Sequence, residues 1–369
     1  MPLFLWSTPF TSLFGGQTSD FYVFYSAGRA WLTNGNPYTL FPSDHVYGFI
    51  YSPTSLPFYG MFALLDFQNA STLWFIVYFS VFLVALMTLA LTIEGERRYV
   101  YVSLAVLLLL TSYPLLFLTQ RGQSDLLVAG FAILGLVGER FNHRFMSAFL
   151  LSIATILKGP AVVLLIYFVI FRRDLRYLGY FVTSSLLIIG ASLLVVPVGL
   201  YWYYLTTVLP TLPFTINPGA ESTARFLLLG MVELTPVMSL AGICLYGCFA
   251  FWASSKKWPA DHGTLAVDGM FLMNVLIMLQ LNLRSAYYQY VAVILPLALF
   301  LSVLLLASTR IEYMIWVGFS TFLLNSVVTP DFLKPRTYPF EIVGNILLML
   351  GIILMFLRPT AVIHHLNTS

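Results

Sequence analysis

The chain has 369 residues, of which 59% are hydrophobic, 17% aromatic and only 9% charged, with a mean hydropathy of +0.88. A soluble domain carries roughly a quarter charged residues, so the composition excludes that class and points to one all-α polytopic membrane domain over residues 1–369. The net charge of +3 and the lack of a long basic run argue against a nucleic-acid partner.

Residues 1–14 are apolar but short, broken by Pro9 and preceded by no basic stretch, which fits neither a signal peptide nor a span of about 20 residues. A first large loop, 15–69, follows. Within 20–33, Asp20, Phe24, Ala27 and Trp31 recur on one helical face, Asn34-Gly35 supplies a stop signal, and Pro37 prevents continuation. After Tyr51-Ser52-Pro53 a second helix is expected from Thr54 to about Leu65, both helices lying on the membrane surface. Apolar runs at 70–93, 99–118, 177–196, 236–253, 265–281, 289–307, 311–328 and 339–357 read as spans. With the shorter pieces 125–138 and 145–171 they make about ten membrane helices, some short or broken. The piece 145–171 carries Lys158-Gly159-Pro160 at its middle and reads as a hairpin of two short helices. A second large loop, 197–235, starts with aromatic residues, and its Pro210, Pro213 and Pro218 argue against a continuous helix. Cys244 and Cys248, one turn apart, read as helix-packing residues.

The paired basic residues, such as Arg97/Arg98, Arg172/Arg173 and Lys256/Lys257, fall on one side of this ladder, which is assigned to the cytoplasm. Loops 15–69 and 197–235 and the turns 119–124 and 282–288 then lie outside. That places Asp20, Arg121, Gln123, Asp125, Lys158, Arg225 and Arg284 on the outer side. Asp20 suits the start of a helix as a cap, but also suits acid–base chemistry. Arg121, Gln123 and Asp125 crowd one short turn, readable as a polar interfacial turn or as a site. Lys158, between apolar stretches, costs several kcal/mol unless paired or hydrated; a structural pair with Asp125 and the binding of an anionic group are both open. No phosphate-cradling GxxxxGK[ST] or GxGxxG run, no HExxH and no zinc-spaced Cys/His cluster is present; His364-His365 sits in the tail.

The run Asp20…Ala27…Gly35-Asn36-Pro37-Tyr38, followed by Tyr51-Ser52-Pro53 and an apolar helix, resembles the first external loop of glycosyltransferase family 87. The resemblance continues through "RGQSDLL", "FMSAFLLSIATILKGPAVVLLIYFVIFRRDLR" and "INPGAESTARFLL" and covers most of residues 18–300. These are integral-membrane enzymes of the C-type fold and include phosphatidylinositol-mannoside mannosyltransferases. The resemblance implies transfer, with inversion, of mannose or another hexose or pentose from a polyprenyl-phosphate donor to a lipid or cell-envelope glycan, on the external, periplasmic face of the cell membrane. Asp20 matches the catalytic base. Lys158, Arg121, Arg225 and Arg284 suit the donor phosphate, and Tyr38, Tyr51, Gln123, Asp125, Tyr287 and Tyr288 complete the expected substrate-binding set. No cofactor and no obligatory metal is expected. The chain departs from the family in having Gly122-Gln123-Ser124-Asp125 where a Gly-Gln-x-Asn run is common, and Tyr287-Tyr288-Gln289 where histidine often stands. The rival reading is a transporter or flippase of an anionic lipid. It needs polar groups through the inner half of the bundle, where the sequence offers mainly Asp268, Asn274 and Gln280.

Overall fold

The fold is taken from a computed structural model, which describes residues 20–40, 48–211, 235–256, 260–280, 291–306, 311–325 and 339–357. Among the described residues every regular element is helical. Contacts divide the chain into two compact units. One comprises Met1–Ala85, Leu115–Val162 and Arg176–Pro218; the other comprises Leu86–Pro114, Val163–Leu175 and Gly219–Ser369.

In the first unit, α1 (Asp20–Leu32) has an acid in its first turn and Arg29 in its last, both favoured by the helix dipole. Its stop is the expected one: Asn34 is left-handed (φ 58°), Gly35 N donates to Ala30 O (2.7 Å) and Asn34 N to Trp31 O (3.1 Å), a Schellman closure. A 3-10 turn, Pro53–Ser55, leads into α2 (Leu56–Ala63). The stripe Asp20, Phe24 and Ala27 is buried. It packs on protein: Phe24 stacks on Tyr59 of α2 (4.8 Å), and Phe21 on Trp74 of α3 (Phe67–Leu91; 5.3 Å). Glycines permit the crossing of α1 and α2. A Cβ on Gly28 would lie 2.8 Å from the Tyr59 carbonyl group, and one on Gly60 2.5 Å from the Trp31 ring. Because backbone rather than a movable side chain blocks position 28, Gly28→Ala is expected to cost about 1–3 kcal/mol, read as a lowered thermal midpoint.

Helix α3 buries Ala70, Trp74, Tyr78 and Phe82 on one stripe and leaves Leu73, Ile76, Leu83 and Val84 exposed. The expected single span 99–118 is two helices, α4 (Glu96–Thr111) and α5 (Tyr113–Arg121), separated at Ser112 (ψ 111°). Pro114 explains the break, since its ring excludes the carbonyl four residues earlier and it has no N–H to donate. Helices α6 (Asp125–Arg140) and α7 (Arg144–Leu157) pack through small residues: a Cβ on Gly135 or Gly138 would come within 3.2 Å of Ser147, whose hydroxyl donates to Gly135 O (2.5 Å). The chain breaks at Lys158 as expected, but the segment beyond it is 3-10 (Gly159–Leu164) and then π (Ile166–Phe171) rather than α. Helix α8 (Leu175–Leu193) and α9 (Val198–Tyr203) follow. Of the loop 197–235 the structure describes residues up to 211: the backbone is helical through 198–211, Pro210 included, while Pro213 and Pro218 lie outside the described residues. A π turn, Tyr204–Val208, ends two residues before the proline and widens the helix where its ring would otherwise meet a carbonyl.

The second unit contains α4 and α10 (Thr235–Ser255), α11 (Ala260–Gln280), α12 (Ile294–Leu306), α13 (Ile311–Asn325) and α14 (Pro339–Leu357). Cys244 and Cys248 are not packed among the described residues: α10 buries Tyr246, Ala250 and Ala253, and both cysteines are exposed on another side of the helix. Arg97 ties three helices. It donates to the Asp268 carboxylate on α11, to Ser302 Oγ (3.1 Å) and to Leu299 O (3.2 Å) on α12. The Asp268 side chain is fully buried, so Asp268→Ala is expected to cost about 3–5 kcal/mol by stranding the guanidinium. The double change Arg97→Met/Asp268→Leu should recover most of the loss in thermal unfolding.

Two helices, Phe67–Leu91 and Leu175–Leu193, are long and apolar enough to cross a membrane. Shorter apolar helices of 10–17 residues accompany them among the described residues.

Candidate functional site

Four charged residues meet at helix ends in the first unit. Asp20 is the first residue of α1 and is 7% exposed. Arg121 is the last residue of α5, and its Nε and Nη2 donate to the two Asp20 oxygens at 2.5 and 2.7 Å. This two-pronged, charge-assisted arrangement is the strongest that a guanidinium and a carboxylate form. Asp125 is the first residue of α6, and Lys158, at the C-terminal end of α7, donates to its oxygens at 2.6 and 2.7 Å. Each acid thus sits at the positive end of a helix dipole and each base at a negative end, so four helix termini add to the two pairs.

The turn 121–125 carries one member of each pair. Gly122 makes the turn in a left-handed conformation (φ 66°) that glycine adopts without strain, and its carbonyl accepts from Trp74 Nε1 (2.9 Å). The aromatic cluster that seats α1 therefore also fixes the turn. Between the pairs lie Gln123 and Ser124, 6% and 0% exposed. Gln123 Oε1 is buried without a hydrogen-bond partner among the described residues, and the buried Ser124 and Tyr59 hydroxyls have only each other, outside ordinary hydrogen-bond geometry. Burial pushes the Tyr59 phenol well above its ordinary value; the Ser124 hydroxyl pulls it down and the Asp125 carboxylate raises it further. Tyr59 was missed in the sequence, where nothing distinguishes it from its aromatic neighbours; only the fold carries it to the turn.

Of the sequence-derived site residues, Asp20, Arg121, Gln123, Asp125 and Lys158 come together. The two cations among them are engaged by carboxylates, and the Asp125 pairing of Lys158 is realised. Tyr51 packs its ring on Phe24 and Tyr59 (5.2 and 6.3 Å) beside this cluster, and Tyr38 lies one step further out. The Tyr38 hydroxyl donates to Tyr51 O (2.9 Å), and its ring stacks on Tyr203 (5.9 Å). Close by, Thr54, Tyr201 and Ser192 form a hydroxyl chain of 3.3 and 2.8 Å. Burial, then the neighbouring Tyr204 and Tyr201, push the Tyr38 phenol far above its ordinary range, so its O–H stays a donor. Arg225, Arg284, Tyr287 and Tyr288 lie outside the described residues, as does Asp44. Among the described residues no three His, Cys, Asp or Glu side chains gather as metal ligands.

The model of glycosyltransferase family 87 matches residues 49–281, more than half of the chain. The chain belongs to glycosyltransferase family 87. No curated protein matches it. Membership makes the chain a glycosyltransferase with a sugar donor and an acceptor as substrates. The matched residues include Arg121, Gln123, Asp125 and Lys158 but begin after Asp20. What joins Asp20 to the family's region is its ion pair with Arg121.

Proposed function

We propose that this family 87 enzyme moves a sugar, with inversion, from a polyprenyl-phosphate donor to a lipid or cell-envelope glycan, on the outer face of a membrane it crosses several times. One observation carries the reading: a carboxylate at a helix start, forked by Arg121, beside a second buried acid–base pair on the same five-residue turn. Inverting transfer needs one base to take the acceptor hydroxyl's proton while that oxygen attacks the anomeric carbon and the phosphate departs from the opposite side. Asp20 is the base. The departing phosphate gathers negative charge, and Arg121 and Lys158 are the cations that receive it. A phosphate competes for the same guanidinium fork that Asp20 occupies. Donor binding thereby loosens the Arg121–Asp20 pair and returns carboxylate lone pairs to the acceptor, so the two roles are successive. Arg225 and Arg284 remain proposed further phosphate contacts.

The membrane setting is supported by the exposed Leu73, Ile76, Leu83 and Val84 on α3 and Leu186 and Leu187 on α8, which suit acyl chains. The clustering of basic residues in alternate loops favours the outer side for Asp20. Against a flippase stands Asp268, whose charge is taken up by Arg97. The test is reconstitution of the purified protein in vesicles with radiolabelled polyprenyl-phosphate sugars and a membrane glycolipid extract. Label moving to the glycolipid fraction is the expected result. Label that stays on the donor while the donor changes leaflet would replace transfer by lipid translocation.

A further inference from the structure

A cleft of about 530 Å³ opens on α1, lined by Tyr22, Tyr25, Ser26, Arg29, Asp66 and Phe67, among others. Positions 22, 25, 26 and 29 share one helical face, across the helix from the buried stripe that begins at Asp20. Since a helix is about 10 Å thick, this is a different site from the acid–base cluster.

The lining is bipolar. Arg29 is exposed, and its guanidinium has no partner among the described residues; Ser26 likewise has none. Asp66 is fully exposed and ionised, its carboxyl held below the usual range by the Asn69 backbone N–H, then by the Asn69 side chain. Those two bonds (3.0 and 2.6 Å) cap the start of α3. With a further contribution from the Gln68 backbone N–H, they still leave part of the roughly four acceptor positions of a carboxylate open to the cleft. Arg29 and Asp66 face one cleft without forming an ion pair, so a ligand carrying both charges can satisfy each. The Tyr22 and Tyr25 rings meet Phe67 edge to face (5.5 and 5.3 Å), and Tyr25 Oη donates to Leu65 O (2.9 Å), which makes a rigid aromatic wall.

The position of Asp66 selects among bipolar ligands. It immediately precedes α3, one of two helices among the described residues long and apolar enough to cross a membrane, and the exposed Leu73 and Ile76 continue from it along that helix. Taking α3 as membrane-crossing, a clause of the proposed function, sets the cleft at headgroup depth, where tyrosines concentrate. We propose that the cleft binds the headgroup of a zwitterionic phospholipid bearing a primary amine, with the phosphate on Arg29, the ammonium on Asp66, and the acyl chains along α3. A primary ammonium donates hydrogen bonds to Asp66; a quaternary one has no N–H to donate. The site therefore discriminates between phosphatidylethanolamine and phosphatidylcholine.

Native mass spectrometry of the full chain in detergent, titrated with dioleoyl phosphatidylethanolamine or dioleoyl phosphatidylcholine, reads this without any transfer assay. At least about tenfold stronger retention of the ethanolamine lipid is expected, equivalent to about 1.4 kcal/mol. Arg29→Gln should remove the retention of both lipids. Asp66→Asn, which keeps an efficient helix cap, should erase the preference while the thermal midpoint stays unchanged. Equal retention of the two lipids by the wild type, or retention unaffected by both substitutions, overturns the proposal. Competition by soluble glycerophosphoethanolamine shows recognition of the headgroup itself. Displacement by a neutral disaccharide in its place assigns the cleft to a glycan and also overturns the proposal.

Discussion

Asp20→Asn is expected to abolish sugar transfer, by about 10²- to 10⁴-fold, in a protein that still folds. The substitution keeps the shape of the side chain and one oxygen to accept from Arg121, while removing the charge needed to take a proton. Arg121 is 31% exposed along its side chain, so water can solvate a guanidinium that has lost its partner, and the stability cost stays small. The comparison with Arg121→Lys separates chemistry from support. Lysine offers a point charge in place of the fork, so this variant should raise the KM for the donor with a smaller fall in kcat, whereas Asp20→Asn should strike kcat. If the pair were only a structural tie, the two variants would lose thermal stability and activity in parallel. Steady-state transfer measured beside thermal unfolding distinguishes these outcomes.

Lys158 carries the second large effect. Lys158→Ala leaves the Asp125 carboxylate, 7% exposed, without its cation, and loss of one partner of a buried pair costs about 3–5 kcal/mol. A protein of ordinary stability does not survive much more than that, so the single variant is expected to be poorly folded and inactive for that reason alone. The informative variant is Lys158→Ala/Asp125→Asn, in which the stranded charge is gone. Its thermal midpoint should return most of the way to the wild-type value. Transfer should stay strongly reduced if Lys158 also receives the donor phosphate; recovery of activity together with stability would make the pair a brace only.

Much of this was legible because the signals are local. Asn34-Gly35 stops α1 where expected because the left-handed conformation suits only a few residue types, and Lys158-Gly159-Pro160 breaks the chain because proline cannot continue a helix. The density of polar residues at 121–125 marked the turn that the structure places between the two ion pairs. Other features depend on which surfaces meet, and sequence does not carry that. Gly28 and Gly60 are separated by a long stretch of chain, and nothing in either neighbourhood announces that they face each other's helices. Asp20 and Arg121 looked like members of two separate sets, an acid opposite scattered cations, because charge patterning gives the side of a membrane and not the partner. The sequence also does not show what the tyrosines at 38 and 51 pack on: the Tyr38 hydroxyl donates to Tyr51 O and its ring stacks on Tyr203, while the Tyr51 ring meets Phe24 and Tyr59. The π turn before Pro210 escaped because proline usually ends a helix, whereas a locally widened turn lets the helix continue.

The anomeric configuration of the product tests the one-step mechanism most directly. The sugar transferred by the vesicle-reconstituted enzyme is compared with the same sugar on its polyprenyl-phosphate donor through the one-bond carbon–proton coupling at the anomeric carbon. Displacement with Asp20 as the single base predicts opposite configurations in donor and product. Retained configuration would contradict it, because retention requires a nucleophile that first forms a covalent bond to the sugar.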